Sequence, residues 1–173
     1  MKSAYLLTGR PGSGKTTLIK KAISGLGIKA GGFYTEEVRT GGTRYGFKLV
    51  SLDGRGEMLA CVDNPSPYRV GKYGVSIDTL EQIGVSSLER AASECELIII
   101  DEIGKMELIS PNFRETVLKI IESGKRVLGT IMLGPHPWAD SLKKHPQVKL
   151  VVVTRTNHQE VLEELRGWLE SLS

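Results

Sequence analysis

Two clusters of residues have the types and spacing of a reactive centre. The first is Gly9-Arg10-Pro11-Gly12-Ser13-Gly14-Lys15-Thr16, which fits G-x-x-x-x-G-K-[ST] at every defined position. Glycines at these positions let backbone N–H groups converge on phosphate oxygens, and a helix starting at the end of the motif adds its positive pole. Lys15 has the reach and charge for β and γ phosphates, and the Thr16 hydroxyl is a ligand for Mg²⁺. The second is the run LIIIDEIGKMEL, Leu97 to Leu108, in which an apolar stretch ends in Asp101 and Glu102 with Glu107 five positions further on. An Asp closing a second strand is the usual partner of the loop Thr in holding Mg²⁺, which assigns Thr16 and Asp101 to the metal. Glu102, the adjacent acid, is placed to act as a general base on water, with Lys15 as the other catalytic group. Glu107 either orients Glu102 or a water, or is an acid favoured at a helix start by the dipole.

The elements that must position these residues follow from periodicity. SAYLL before the glycine loop and Leu97–Ile100 before the acids are apolar on both faces, as in a parallel sheet covered by helices. TTLIKKAISGLG reads as an amphipathic helix closed by Gly25 and Gly27. Residues 31–62 carry alternating apolar positions interrupted by Gly41-Gly42 and Asp53-Gly54, which predicts a three-stranded antiparallel meander. Residues 63–74, with two prolines and two glycines, read as a loop. Asp78-Thr79-Leu80-Glu81 resembles a capping box for a helix over about 79–93. Ser110-Pro111 opens another helix, RVLGTIML and VKLVVVT are strands with the short helix PWADSLKK between them, and Asn157 caps a last helix. That helix carries Val161, Leu162, Leu165, Trp168, Leu169 and Leu172 on one face. Strands alternating with helices predict an α/β fold with a mainly parallel sheet and the meander as an extension, in a single domain over residues 1–173.

Composition narrows the classes. The chain has 173 residues, a net charge of +3 and scattered basic residues, which gives no support for a nucleic-acid stripe or a lipid patch. No apolar run reaches the roughly 18 residues of a membrane span. The apolar part of the N-terminus, Ala4–Leu7, is too short for a signal core. Cys61 and Cys95 form no CxxC and suit a reducing, cytoplasmic setting. His136, His145 and His158 lack metal-ligand spacing. Asp101-Glu-Ile-Gly104 also fits D-x-x-G, but no Asn-Lys guanine reader accompanies it, which argues against a guanine-specific switch. Thr130 is either a γ-phosphate sensor or a core residue. Tyr68, Arg69, Lys72 and Tyr73 either cover a base or belong to an ordinary solvated loop, and Arg39 and Arg44 read as cross-strand surface charge.

TGRPGSGKTTLIKKA, GFYTEEVR, RVGKYGV, DEIGKMEL and LGTI together resemble the THEP1 family of nucleoside triphosphatases over nearly the whole chain. The resemblance implies a RecA-like P-loop fold. It implies slow, Mg²⁺-dependent hydrolysis of ATP, GTP, CTP and UTP to diphosphate and phosphate, with little discrimination among bases. It places nucleotide contacts at Gly9, Arg10, Pro11, Gly12, Ser13, Gly14, Lys15, Thr16 and Thr17, and at Leu97, Ile98, Ile99, Ile100, Asp101, Glu102, Ile103 and Gly104. Near the last strand the family often has Asn-Arg where this chain has Asn157-His158. Two other readings stand beside hydrolysis. One is a kinase acting on a nucleotide or small molecule, which would want an Arg-rich lid that residues 63–74 do not supply. The other is a nucleotide-dependent switch or adaptor presenting the meander to a partner.

Overall fold

The computed structural model describes residues 2–171. The first strand, β1 (Ala4–Thr8), is buried along its whole length, as a chain covered by helices on both faces must be. The glycine loop follows it and feeds α1 (Lys15–Ile23). The predicted meander forms β2 (Ala30–Thr40), β3 (Thr43–Ser51) and β4 (Gly56–Cys61). Residues 63–74, read as a loop from their prolines and glycines, instead contain a small hairpin, β5 (Arg69–Val70) and β6 (Tyr73–Val75). A helical segment then runs through α2 (Ile77–Thr79), a π-helical turn (Leu80–Val85) and α3 (Ser86–Glu94). Its cap is Ser76, whose side chain accepts from the Thr79 amide, two residues before the capping box the sequence suggested. The chain continues through β7 (Leu97–Ile103), α4 (Pro111–Glu122), β8 (Val127–Ile131), α5 (Pro137–Lys143), β9 (Val148–Val152) and α6 (His158–Glu170).

Among the described residues all nine strands join one sheet in the order β5-β6-β4-β3-β2-β7-β8-β1-β9. β2, β7, β8, β1 and β9 run parallel, while β2 to β6 pair antiparallel, so β2 belongs to both halves and the meander is an edge extension of the parallel core. One apolar core lies on the face covered by α3, α4 and α5, where the rings of Phe33 and Phe113 are 6.1 Å apart. The other lies under α1 and α6, where Tyr5 and Trp168 are 5.0 Å apart. Ser110 caps α4 by accepting from the Phe113 amide at 3.1 Å, with Pro111 at the first helical position. The apolar face of α6 is buried at Val161, Leu162, Leu165, Trp168 and Leu169, and Leu172 lies outside the described residues. Among the described residues no helix is long and apolar enough to cross a membrane, and Cys61 and Cys95 are free thiols.

Candidate functional site

The loop between β1 and α1 closes on its own carbonyls. Lys15 Nζ donates to the carbonyls of Gly9 at 2.8 Å and Arg10 at 3.2 Å, so the ammonium already lies across the mouth of the loop. The hydroxyl of Ser13 is buried without a hydrogen-bond partner, as is that of Thr8 at the end of β1. Orphaned buried hydroxyls are rare, and two beside a ring of backbone amides mark a place where an anion's oxygens would complete the bonding. Gly14 enters α1 in the left-handed region, φ 90°.

The β7 acids meet this loop because β8, the only strand between β7 and β1, brings the strand ends together. Asp101 is buried, and both its oxygens are taken: the Thr16 hydroxyl donates to Oδ2 at 2.6 Å and the Thr130 hydroxyl to Oδ1 at 2.7 Å. Thr35 on β2 donates to the Asp101 carbonyl at 2.9 Å. Two register pairs, Ile100 with Gly129 and Ile103 with Ile131, leave one extra residue on β7, so Asp101 and Glu102 stand in a bulge, and the peptide between them is cis. A bulge re-aims side chains that a regular strand would send to opposite faces, and here both carboxylates feel the charge of Lys15.

Burial lifts Asp101 above the ordinary carboxylate range, opposed by the two threonine hydroxyls and Lys15. Burial and then the neighbouring Asp101 charge lift Glu102, again against Lys15. Glu107 is pushed up to about 8 by burial and by the charge of Glu102. It opens a 3₁₀ turn (Glu107–Ile109), and its Oε1 accepts from the Gly104 amide at 3.0 Å. A Cβ on Gly104 would stand 2.8 Å from Glu102 Oε1 and 3.0 Å from Glu107 Oε1, so the absence of a side chain there lets the two carboxyls approach. Tyr34 borders the group: burial and the Asp101 charge push its phenol up to about 12, and Lys20 Nζ lies 4.8 Å from its ring centroid.

Oxygen donors at Thr16 and Asp101 suit a hard cation, and Mg²⁺ takes only a few protein ligands alongside water and phosphate oxygens. Among the described residues no cluster of three or more His, Cys, Asp and Glu could hold a metal alone. Two of the three histidines act locally: Nδ1 of His136 accepts from the Trp138 amide and caps α5, and Nδ1 of His145 accepts from the Gln147 amide.

The sequence-predicted residues separate into those gathered and those not. Gly9 to Thr16, Asp101, Glu102 and Gly104 converge. Thr17 points to solvent, and Leu97 to Ile100 are core residues leading to the acids. Thr130 holds Asp101. Thr35 and Tyr34 were not singled out from the sequence, and their only signal is their place in GFYTEEVR. His158, the first residue of α6, also reaches the loop: its Nε2 lies 2.5 Å from the Ser13 carbonyl, so the ring proton sits there. Asn157 does not cap α6 with its side chain but ties back to the end of β9, accepting from the Thr154 amide and donating to the Val152 carbonyl, each at 2.8 Å. Residues 68–73 form the opposite edge of the sheet from β9, and Arg39 and Arg44 share Glu37 across the β2–β3 hairpin.

A sequence description of the NTPase family matches residues 4–166. The chain is 54% identical over 165 residues to a nucleoside-triphosphatase THEP1 of Thermotoga sp. (strain RQ2), covering 95% of this chain and 94% of that one. The chain belongs to the THEP1 nucleoside-triphosphatase family. The crystal structure of THEP1 from Aquifex aeolicus superposes with a TM-score of 0.88 at 38% identity, covering 96% of this chain and 99% of that one. The solution structure of a human cancer-related nucleoside triphosphatase gives 0.82 at 36% identity, covering 99% and 98%. The parallel core, the glycine loop and the flanking helices of this THEP1-family chain are those of a P-loop NTPase.

Proposed function

We propose that this chain hydrolyses nucleoside triphosphates to the diphosphate and phosphate, with Mg²⁺ and with little preference among bases. The observation that carries the reading is Asp101, which joins the start of α1 to the end of β8 through Thr16 and Thr130 while Glu102 stands beside it within the field of Lys15. The amides of Gly12 to Thr16 bind the phosphates, and Lys15 leaves its loop carbonyls to neutralise charge at the β–γ bridge. Thr16 and Asp101 would hold Mg²⁺, which when bound neutralises charge on the β and γ oxygens. Glu102 orients the attacking water and accepts its proton; a carboxylate raised above its ordinary range is a better base for that step. Lys15 at both acids, joined by Lys20 at Asp101, supplies positive charge to the site; lysines in place of an arginine finger, which is worth several orders of magnitude in such sites, support slow turnover. The free thiols fit a reducing, cytoplasmic compartment.

The test is phosphate release from ATP, GTP, CTP and UTP with Mg²⁺ and no acceptor. All four should be cleaved at similar rates, and Glu102→Gln should lower kcat by about 10²- to 10⁴-fold with KM nearly unchanged. Tight binding without phosphate release would overturn the hydrolase reading.

A further inference from the structure

The acids occupy one side of the glycine loop, and the other side is open. β1, which carries the loop, lies between β8 and β9, and Asp101 is on the β8 side, on β7. A triphosphate held along Gly12 to Thr16 with its terminal phosphate beside Asp101 therefore directs its other end toward β9. There a cleft of about 640 Å³ is bounded by Gly9 to Ser13, by Leu133 after β8, and by Val152 to Arg155 at the end of β9. Among the described residues only four large hydrophobic side chains are exposed, and two of them, Leu133 at 50% and Val152 at 52%, line this cleft. Two half-exposed aliphatic side chains facing one cavity cost solvation free energy until something flat and apolar covers them.

We propose that Leu133 and Val152 are the walls of the nucleobase subsite. The proposal rests on the hydrolase reading above and adds where the base lies and which contacts to it are indifferent to its identity. The polar side chains of the lining are Arg10, Ser13, Thr154 and Arg155, and none is a carboxylate or carboxamide. The nearby carboxamide, Asn157, has its oxygen on the Thr154 amide and its nitrogen on the Val152 carbonyl. The two aliphatic walls meet a base through its faces, which every base offers, so the affinity they supply does not discriminate.

The decisive comparison is equilibrium binding of ADP, GDP and pyrophosphate to the full chain, wild type against Leu133→Ser and Val152→Ser, with Leu150→Ser as control. Leu150 is half-exposed on the same face of β9, outside the cleft. All three changes are at exposed positions, so folding is retained. Each wall variant should weaken ADP and GDP by about three- to tenfold and by similar factors, while pyrophosphate binding and the Leu150→Ser control stay unchanged. Unchanged diphosphate binding in both wall variants, or an equal loss for pyrophosphate, would overturn the subsite. Phosphate release from ATP in the same wild-type sample tests the hydrolase reading separately. If it is absent while the nucleotide-over-pyrophosphate contrast persists, the hydrolase reading falls and the subsite stands.

Discussion

Three carboxyls within a few residues of one another must divide their protons. Burial lifts Asp101, and two hydroxyls and Lys15 oppose the rise, whereas Glu107, in the core and beside Glu102, is pushed up to about 8. Glu107 is therefore mainly the neutral acid at pH 7, holding the Gly104 amide on Oε1. Its pKa is higher folded than unfolded, so the native state binds the extra proton between roughly pH 4.5 and pH 8 and stability falls as pH rises through that window. The slope is at most about 1.4 kcal/mol per pH unit from this one group. Urea denaturation at pH 6 and pH 8 should show the wild type losing stability with rising pH and Glu107→Gln losing distinctly less. The amide keeps an oxygen for the Gly104 amide and cannot ionise. Equal slopes in the two proteins would mean that Glu107 does not carry the proton.

At the scale of elements, the site depends on how closely β9 presses on the loop. The Val153 amide donates to the Thr8 carbonyl at 2.7 Å, and a Cβ on Gly9 would stand 2.6 Å from the Val153 carbonyl oxygen and 3.0 Å from Ser13 Oγ. Backbone cannot yield as a flexible side chain does, so Gly9→Ala should cost about 1–3 kcal/mol of stability and weaken pyrophosphate binding at least tenfold. Denaturation and calorimetric titration measure the two, and a variant that matches the wild type in both would show that β9 is free to move away. The glycine loop, the buried strands and the acids were legible because each has a local signature: turn glycines, apolar residues on both faces, a carboxylate at a strand end. β5 and β6 were not, since strands of two and three residues are too short to show alternation. The roles of Thr35, Thr130 and His158 were not fixed by the sequence either. Thr35 and Thr130 reach Asp101 only because β2 and β8 flank β7, and His158 meets Ser13 only because α6 packs beside α1. Those adjacencies belong to the strand order and helix packing, which local pattern does not carry.

Over the whole molecule, the two halves of the sheet share one core. Phe33 of β2, Leu49 of β3, Leu59 of β4 and Val75 of β6 pack in the same cluster as Ile98 and Ile100 of β7 and Val127 of β8. The antiparallel arm therefore has no apolar core separate from the parallel strands, and β2 is hydrogen-bonded to both. The candidate site joins β1, β7, β8 and α1, so a ligand that fills it ties together elements facing both cores. A ligand that binds only the native state at about a hundred times its Kd adds roughly 2.7 kcal/mol. For a chain of this size that corresponds to a rise in Tm of about 5–10 °C. Calorimetry with Mg²⁺ and ADP should show one transition moving up as a unit. A thermogram that divides, with one component unmoved by ligand, would mean that the arm unfolds independently and that the shared cluster does not couple it to the site.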